Sequence, residues 1–383
     1  MTPLLLLEAV PGVAVAQAET IREQQRWALD AIRAPEVWPT TRGAGITVAV
    51  LDTGVDAAHP DLAGAVLEGE DFVGRGAGPG DAEWAAHGTA MAGIIAGRGH
   101  GPGREKGVLG VAPEAEILPV RVLLEDNDPA REEARRAPGN ALAEGIRWAT
   151  DQGADVINLS LGDDSESAHP DPEEDAAVRY ALSRGAVVVA SAGNGGEDGD
   201  PVSYPAGYAG VIAVTAVDRS GSRAPFSTRR WYATVSAPGQ DVVVVDPDGK
   251  YYTGWGTSAA AAFVSGAVAL VRAAHPDLSP AQIKRLLTET AQNPPEDGRS
   301  DGLGSGLVDP AAAIAAGAGV EPRRPEPAAQ PYPGTHFGPG PRPVPAEDHG
   351  QGWLAPGAAT LGLVLLAVSV ALFRRVRPLT RSG

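Results

Sequence analysis

The feature that most limits what this chain can fold into is a regular alternation between about residues 45 and 316, where short apolar runs are separated by helix-like stretches. "ITVAVLD" (46–52), "AEILPVRVL" (115–123), "ADVINLSLG" (154–162), "AVVVASAGN" (186–194) and "VIAVTAVD" (211–218) read as strands. "HGTAMAGIIAG" (87–97), "GNALAEGIRWATDQG" (139–153), "EEDAAVRYALSRG" (173–185) and the segments 258–274 and 279–291 read as helices. Continuous apolar strands are buried on both faces, and strands alternating with helices are joined by crossovers. The expectation is an α/β fold with a mostly parallel central sheet, helices on both faces and no internal repeat. In such sheets a site lies beyond the carboxyl ends of the strands.

Composition narrows the function. With 383 residues, 43% of them hydrophobic, the chain is long enough for one large domain or two smaller ones. A formal charge of −17 argues against nucleic-acid binding, which needs a basic face. There is no cysteine, which excludes a disulfide framework, a thiolate metal site and a cysteine nucleophile, without fixing the compartment.

The two ends point to a membrane. "LAPGAATLGLVLLAVSVALF" (354–373) carries no charge over the length a bilayer core requires, and "RRVR" follows it. Basic residues beside a span stay cytoplasmic, so 353–373 reads as a transmembrane helix, 374–383 as a cytoplasmic tail and everything before as extracytoplasmic. The Pro/Gly-rich segment 317–352 reads as a stalk. At the other end, residues 1–18 resemble a signal peptide ending in Ala16-Gln17-Ala18, although a basic n-region is missing and Glu8 interrupts the apolar run. Residues 19–43 form an N-terminal extension before the first strand. The apolar run at 258–274 is weakly hydrophobic and reads as a core helix.

Four polar residues fall at strand and helix ends: Asp52 in "VLDTGVD", His87 in "AAHGTAMAG", Asn194 in "SAGNGG" and Ser258 in "WGTSAAAA". Taken singly, each has an ordinary reading: a turn aspartate, a helix-end histidine, an Asn-Gly turn, and a serine helix cap. Together they hold one chemistry. A serine hydroxyl attacks a carbonyl only when an imidazole removes its proton, and the imidazole needs a buried carboxylate on its other nitrogen. The developing oxyanion needs donors, which an asparagine amide and a helix N-terminus supply. Activity of this kind rises with pH through the histidine pKa, about 6.5–7 for an ordinary imidazole.

The order Asp, His, Ser, with the "DTG", "HGT", "AGN" and "GTS" boxes, resembles subtilisin-like serine proteases over about residues 43–312. The resemblance implies a three-layer subtilisin-like catalytic domain over 44–316, with Asp52, His87 and Ser258 as the triad and Asn194 in the oxyanion hole. It also implies that Ser160, Leu161 and Gly162, with Ser191, Ala192 and Gly193, bind substrate backbone and wall the specificity pocket. Ser203, before "YP", falls at that pocket's floor. Ser258 is then a nucleophile that also caps its helix.

The short extension, the stalk and the span resemble the mycosins, membrane-anchored subtilases of type VII secretion systems. That resemblance implies a plasma-membrane protease facing outward, beside the secretion complex, with exported polypeptides as substrates. A structural role in that complex, with proteolysis secondary or absent, is the alternative. Mycosins of mycobacteria commonly carry disulfides, which this chain cannot form. Where many subtilisins hold calcium, "GPGREKGVLGVAP" (101–113) offers Glu105 and few other oxygen ligands, so neither a required metal nor another cofactor is expected. Two further segments each keep two readings. The insertion 123–140 is a solvated loop or one that narrows the cleft or docks a partner. The acidic stretch 162–175 is a solvated loop or one that favours basic substrate residues.

Overall fold

The computed structural model describes residues 19–136, 139–163, 165 and 168–323. The signal-like segment, most of the stalk, the membrane span and the basic tail lie outside the described residues. The strands are β1 (Thr47–Asp52), β2 (Glu70–Asp71), β3 (Arg98–His100), β4 (Lys106–Leu109), β5 (Glu116–Arg121), β6 (Val156–Leu159), β7 (Val187–Ser191), β8 (Ile212–Val217), β9 (Ala233–Pro238), β10 (Val242–Val245) and β11 (Tyr251–Gly254). The helices are α1 (Ile21–Ala31), α2 (Ala34–Val37), α3 (Ala86–Ala96), α4 (Arg131–Arg136), α5 (Ala141–Asp151), α6 (Pro172–Arg184), α7 (Thr257–Ala274), α8 (Pro280–Glu289) and α9 (Pro310–Gly317).

Seven strands form one sheet in the order β2-β5-β1-β6-β7-β8-β9, parallel at every pairing. From β1 the chain crosses through α3 to β5 on one side, then returns through α5 to β6 on the other. The direction of winding therefore reverses around β1, where a doubly wound sheet opens its crevice. Alternate residues of each strand serve opposite layers, as the two-residue period of a strand requires. Val48 and Val50 pack with α3 and α7, whereas Ala49 and Leu51 pack with α5 and α6.

Helix α7 fills the first of these layers. Nearly all of its 18 residues are buried, and its run of alanines lets the backbone lie close to the sheet. Among the described residues it is the one helix long and apolar enough to cross a membrane, and its burial marks it as core.

The N-terminal extension folds as α1 and α2 against the domain. Thr20 and Glu23 close a capping box at the start of α1. The Gln25 side chain donates to the Leu109 carbonyl at 2.6 Å and accepts the Leu109 N–H at 2.7 Å. Arg33 pairs at 2.6 Å with the buried carboxylate of Asp309, the residue that caps α9. At the other end, His275 Nε2 lies 2.8 Å from the Ile314 carbonyl of α9. Gln282 of α8 holds both the Glu321 carbonyl (2.7 Å) and the Arg323 N–H (2.9 Å).

The structure adds elements to the expected alternation. Strand β9 extends the sheet at an edge, where Pro238 removes no needed donor. Strands β10 and β11 pair as a separate antiparallel hairpin. The insertion at 123–140 is partly helical, because residues 131–136 form α4.

Leu270 is fully buried in α7. Leu270→Ala is expected to lower unfolding stability by about 2–5 kcal/mol, the range for a deleted core leucine. Arg285→Ala, which removes an exposed pair with Glu289, is expected to stay within about 0.5 kcal/mol. Urea unfolding of the two variants checks both figures.

Candidate active site

Asp52 is the last residue of β1 and is fully buried. Its carboxylate accepts the Thr53 N–H at 2.7 Å and meets His87 Nδ1 at 2.8 and 2.9 Å through its two oxygens. His87 is the second residue of α3. The following residue explains how that helix comes so near the strand end. A Cβ on Gly88 would lie 2.0 Å from the Gly54 carbonyl and 3.1 Å from Asp52 Cβ. Only glycine lets α3 approach closely enough for this imidazole–carboxylate bond.

Burial of the His87 ring disfavours its charged form. The charge and hydrogen bond of Asp52 outweigh that effect, with smaller help from Glu125 and Asp126, and the imidazole is raised to about 9. The side chain remains 38% open to the cleft, so solvent screens part of the attraction. The expectation of an ordinary imidazole is therefore corrected upward.

Ser258 opens α7 but does not cap it. The helix begins at Thr257, and the cap position is Gly256 at φ 138°, which has no side chain to cap the end itself. A left-handed φ of this kind suits glycine. It turns the chain so that Ser258 becomes the second helical residue, with its hydroxyl donating to the Ser160 carbonyl at 3.0 Å. In return Ser160 Oγ donates to the Ser258 carbonyl at 2.9 Å. Ser160 itself accepts from the buried Asn158 amide at 2.9 Å, and Asn158 accepts from Ser265 of α7 at 2.8 Å. Asn158 and Ser265 thus help position the Ser258 backbone, a role the sequence analysis did not assign. An asparagine inside an apolar strand was the available signal.

Asn194 lies just past β7. Its Oδ1 accepts from both the N–H and the hydroxyl of Thr257, each at 2.9 Å. The amide is thereby fixed at the mouth of α7, beside Ser258. The other predicted residues gather around this point. Ser191 donates to the Leu161 carbonyl at 3.2 Å, and the Thr257 hydroxyl accepts the Gly193 N–H at 3.3 Å. The Tyr232 hydroxyl donates to the Ala192 carbonyl at 3.1 Å and accepts the Ser203 N–H at 3.0 Å. A Cβ on Gly162 would come within 2.5 Å of Ser203 Oγ. The Ser203 hydroxyl is buried without a hydrogen-bond partner among the described residues.

His87, Ser160, Leu161 and Gly162 border a cleft of about 540 Å³, closed on one side by residues 122–126 and α4. The stretch 162–175 has structural duties as well as charge: Asp163 bridges to Tyr204, and Asp171 caps α6. Among the described residues no group of three or more His, Cys, Asp or Glu side chains is placed to hold a metal ion.

A raised imidazole stabilises the fold while it is charged. Its contribution is complete below the unfolded pKa of about 6.5 and is lost as pH rises through the folded value of about 9. Asp52→Asn is expected to flatten the pH dependence of unfolding stability over that window, by about 1–2 kcal/mol after solvent screening. Parallel urea titrations at several pH values measure it. Gly88→Ala is expected to be destabilising at every pH, because backbone must move to admit the methyl group.

Comparison with known proteins gives the family. The profile of the subtilase family matches residues 43–306. Subtilisin BL of Lederbergia lenta is 39% identical over 288 residues, 75% of this chain and 97% of that protein. The structure of MycP1 from Mycobacterium smegmatis aligns with a TM-score of 0.66 and 31% identity, covering 79% of this chain and 87% of that one. That of the MycP3 protease from the type VII (ESX-3) secretion system gives 0.62 and 35%, covering 75% and 87%. The chain belongs to the subtilase family and is a subtilisin-like serine endopeptidase.

Proposed function

We propose that Asp52, His87 and Ser258 form the catalytic triad of an outward-facing, membrane-anchored endopeptidase that cleaves exported polypeptides beside a type VII secretion complex. The observation that carries the catalytic part is the bond from a fully buried Asp52 to His87 Nδ1, at a cleft shared with Ser160, to which Ser258 is hydrogen-bonded. In this reading Ser258 turns its hydroxyl from the Ser160 carbonyl toward His87 Nε2. His87 takes the proton as Oγ attacks the peptide carbonyl. Asp52 holds the tautomer and stabilises the imidazolium. The Asn194 amide and the N-terminus of α7 stabilise the oxyanion. His87 then protonates the leaving amine, and water resolves the acyl-enzyme by the same proton path in reverse.

Ser160–Gly162 and Ser191–Gly193 serve as the walls that hold substrate backbone, with Ser203 at the pocket floor. The membrane and secretion assignments draw support from the apolar and basic C-terminal sequence and from the MycP neighbours. The division into signal segment, extension, catalytic domain, stalk, span and tail belongs to the same proposal.

Fluorophosphonate labelling of the full-length chain tests the site. Wild type is expected to label and Ser258→Ala to remain unlabelled; an unlabelled, folded wild type would count against an assembled triad. Asn194→Ala is expected to lower kcat by roughly 10²–10³-fold, the usual loss for one oxyanion donor. The scaffold alternative separates in cells. If Ser258→Ala stops processing but leaves export intact, export does not depend on the chemistry of the domain, and loss of export on deleting the domain would then support the scaffold role.

A further inference from the structure

Helix α3, which carries His87, begins without a cap of its own. The preceding Ala85 sits at φ 56°, and no local side chain accepts from the first turn. Two distant side chains supply acceptors: Thr53 Oγ1 takes the Gly88 N–H at 3.2 Å, and the 123–140 insertion supplies the other. Glu125 Oε1 accepts the backbone N–H of His87 at 2.8 Å. A carboxylate there satisfies an orphaned donor and sits favourably at the positive end of the helix dipole. The N–H it holds belongs to His87 itself, so the bond bears directly on where the imidazole stands.

The insertion is built to keep that carboxylate in place. Arg131 of α4 donates to the Leu124 carbonyl and pairs with Asp126 at 2.7 Å. Asp128, buried, accepts the N–H of Ala130 and that of Ala77, each at 2.8 Å. Arg75 pairs with Glu133 at 2.7 Å. The loop on either side of Glu125 is thus tied both to α4 and to the 75–77 segment across the cleft.

We propose that Glu125 is a positioning residue for His87, through which the 123–140 insertion sets both the placement and the charge of the general base. This deepens the functional reading above and rests on it. The charged groups facing the ring are Asp52 from β1, and Glu125 and Asp126 from the insertion. Arg75, Arg131, Arg135 and Glu144 border the same cleft. Arg121 of β5 is turned to Asp71 and Trp84. Removing the negative charge at 125 withdraws support from the imidazolium, so the base form persists to lower pH.

The test compares Glu125→Ala with Glu125→Gln in the full-length chain. Kinetics on a peptide anilide give kcat, KM and the pH profile from about 5 to 10, a range that brackets an imidazole, with Tm measured alongside. Glu125→Ala is expected to lower kcat about 10-fold with KM little changed, since a displaced base slows chemistry without altering ground-state binding. Its acid limb is expected to move to lower pH. Glu125→Gln keeps an oxygen for the His87 N–H, so most of kcat is expected to return while the acid limb stays shifted. A helix cap that merely stabilises would lower Tm in both variants and leave the acid limb where it was; that result overturns the proposal. Wild-type kcat in Glu125→Ala overturns it too. If the alanine variant does not fold, an unmoved acid limb in Glu125→Gln decides against it alone. Fluorophosphonate labelling separates the two readings. An unlabelled wild type overturns the triad and this proposal together, whereas a labelled wild type with unaffected variants overturns only this one.

Discussion

The burial of α7 is the constraint on which the rest depends. An 18-residue helix lying against a parallel sheet must be made of small and apolar residues over nearly its whole length, and this one is. Its position then fixes everything at its N-terminus. Gly256 provides the turn, Thr257 locks Asn194, and Ser258 meets Ser160 just past the carboxyl end of β6. The polar contacts of the site are therefore side effects of how an apolar helix packs, and they need little further machinery to stay aligned.

The histidine reaches the same place by a different device. Helix α3 is set by a close approach, with Gly88 against the Gly54 carbonyl, and its end is held by Glu125 from a segment 38 positions further along the chain. One side of the site is thus rigid by packing, and the other by a hydrogen bond from a charged surface loop. Asp52, at the end of a central strand paired on both sides, gives both a fixed reference.

Much of this was legible in the sequence, for physical reasons. Strands β1, β6, β7 and β8 are buried on both faces, so their apolar runs are continuous and easy to see. Asp52, His87, Asn194 and Ser258 interrupt or follow such runs, which makes them visible as polar residues at element ends. Strand β9 was less visible, because an edge strand of small residues ending in Pro238 gives little signal. The four valines of β10 were not among the strands read from the sequence, and nothing local marks them as half of a separate hairpin. Ser258 looked like a cap because its neighbours fit one, and only the backbone turn at Gly256 shows otherwise. Asn158 and Glu125 were missed because their bonds join distant segments. A charge in a polar insertion reads the same whether it faces water or a helix end.

The ties at the C-terminal side of the domain have a mechanical meaning. A pull along the chain beyond residue 323 is met first by Gln282, which grips two backbone groups of the departing segment. It next reaches α9, which shares the load with the N-terminal extension through Asp309 and Arg33 and with the far end of α7 through His275. That end of α7 is some 25 Å from Ser258, by the rise of about 1.5 Å per residue. A load on the segment beyond residue 323 is therefore shared with the N-terminal extension and with the end of α7 remote from Ser258.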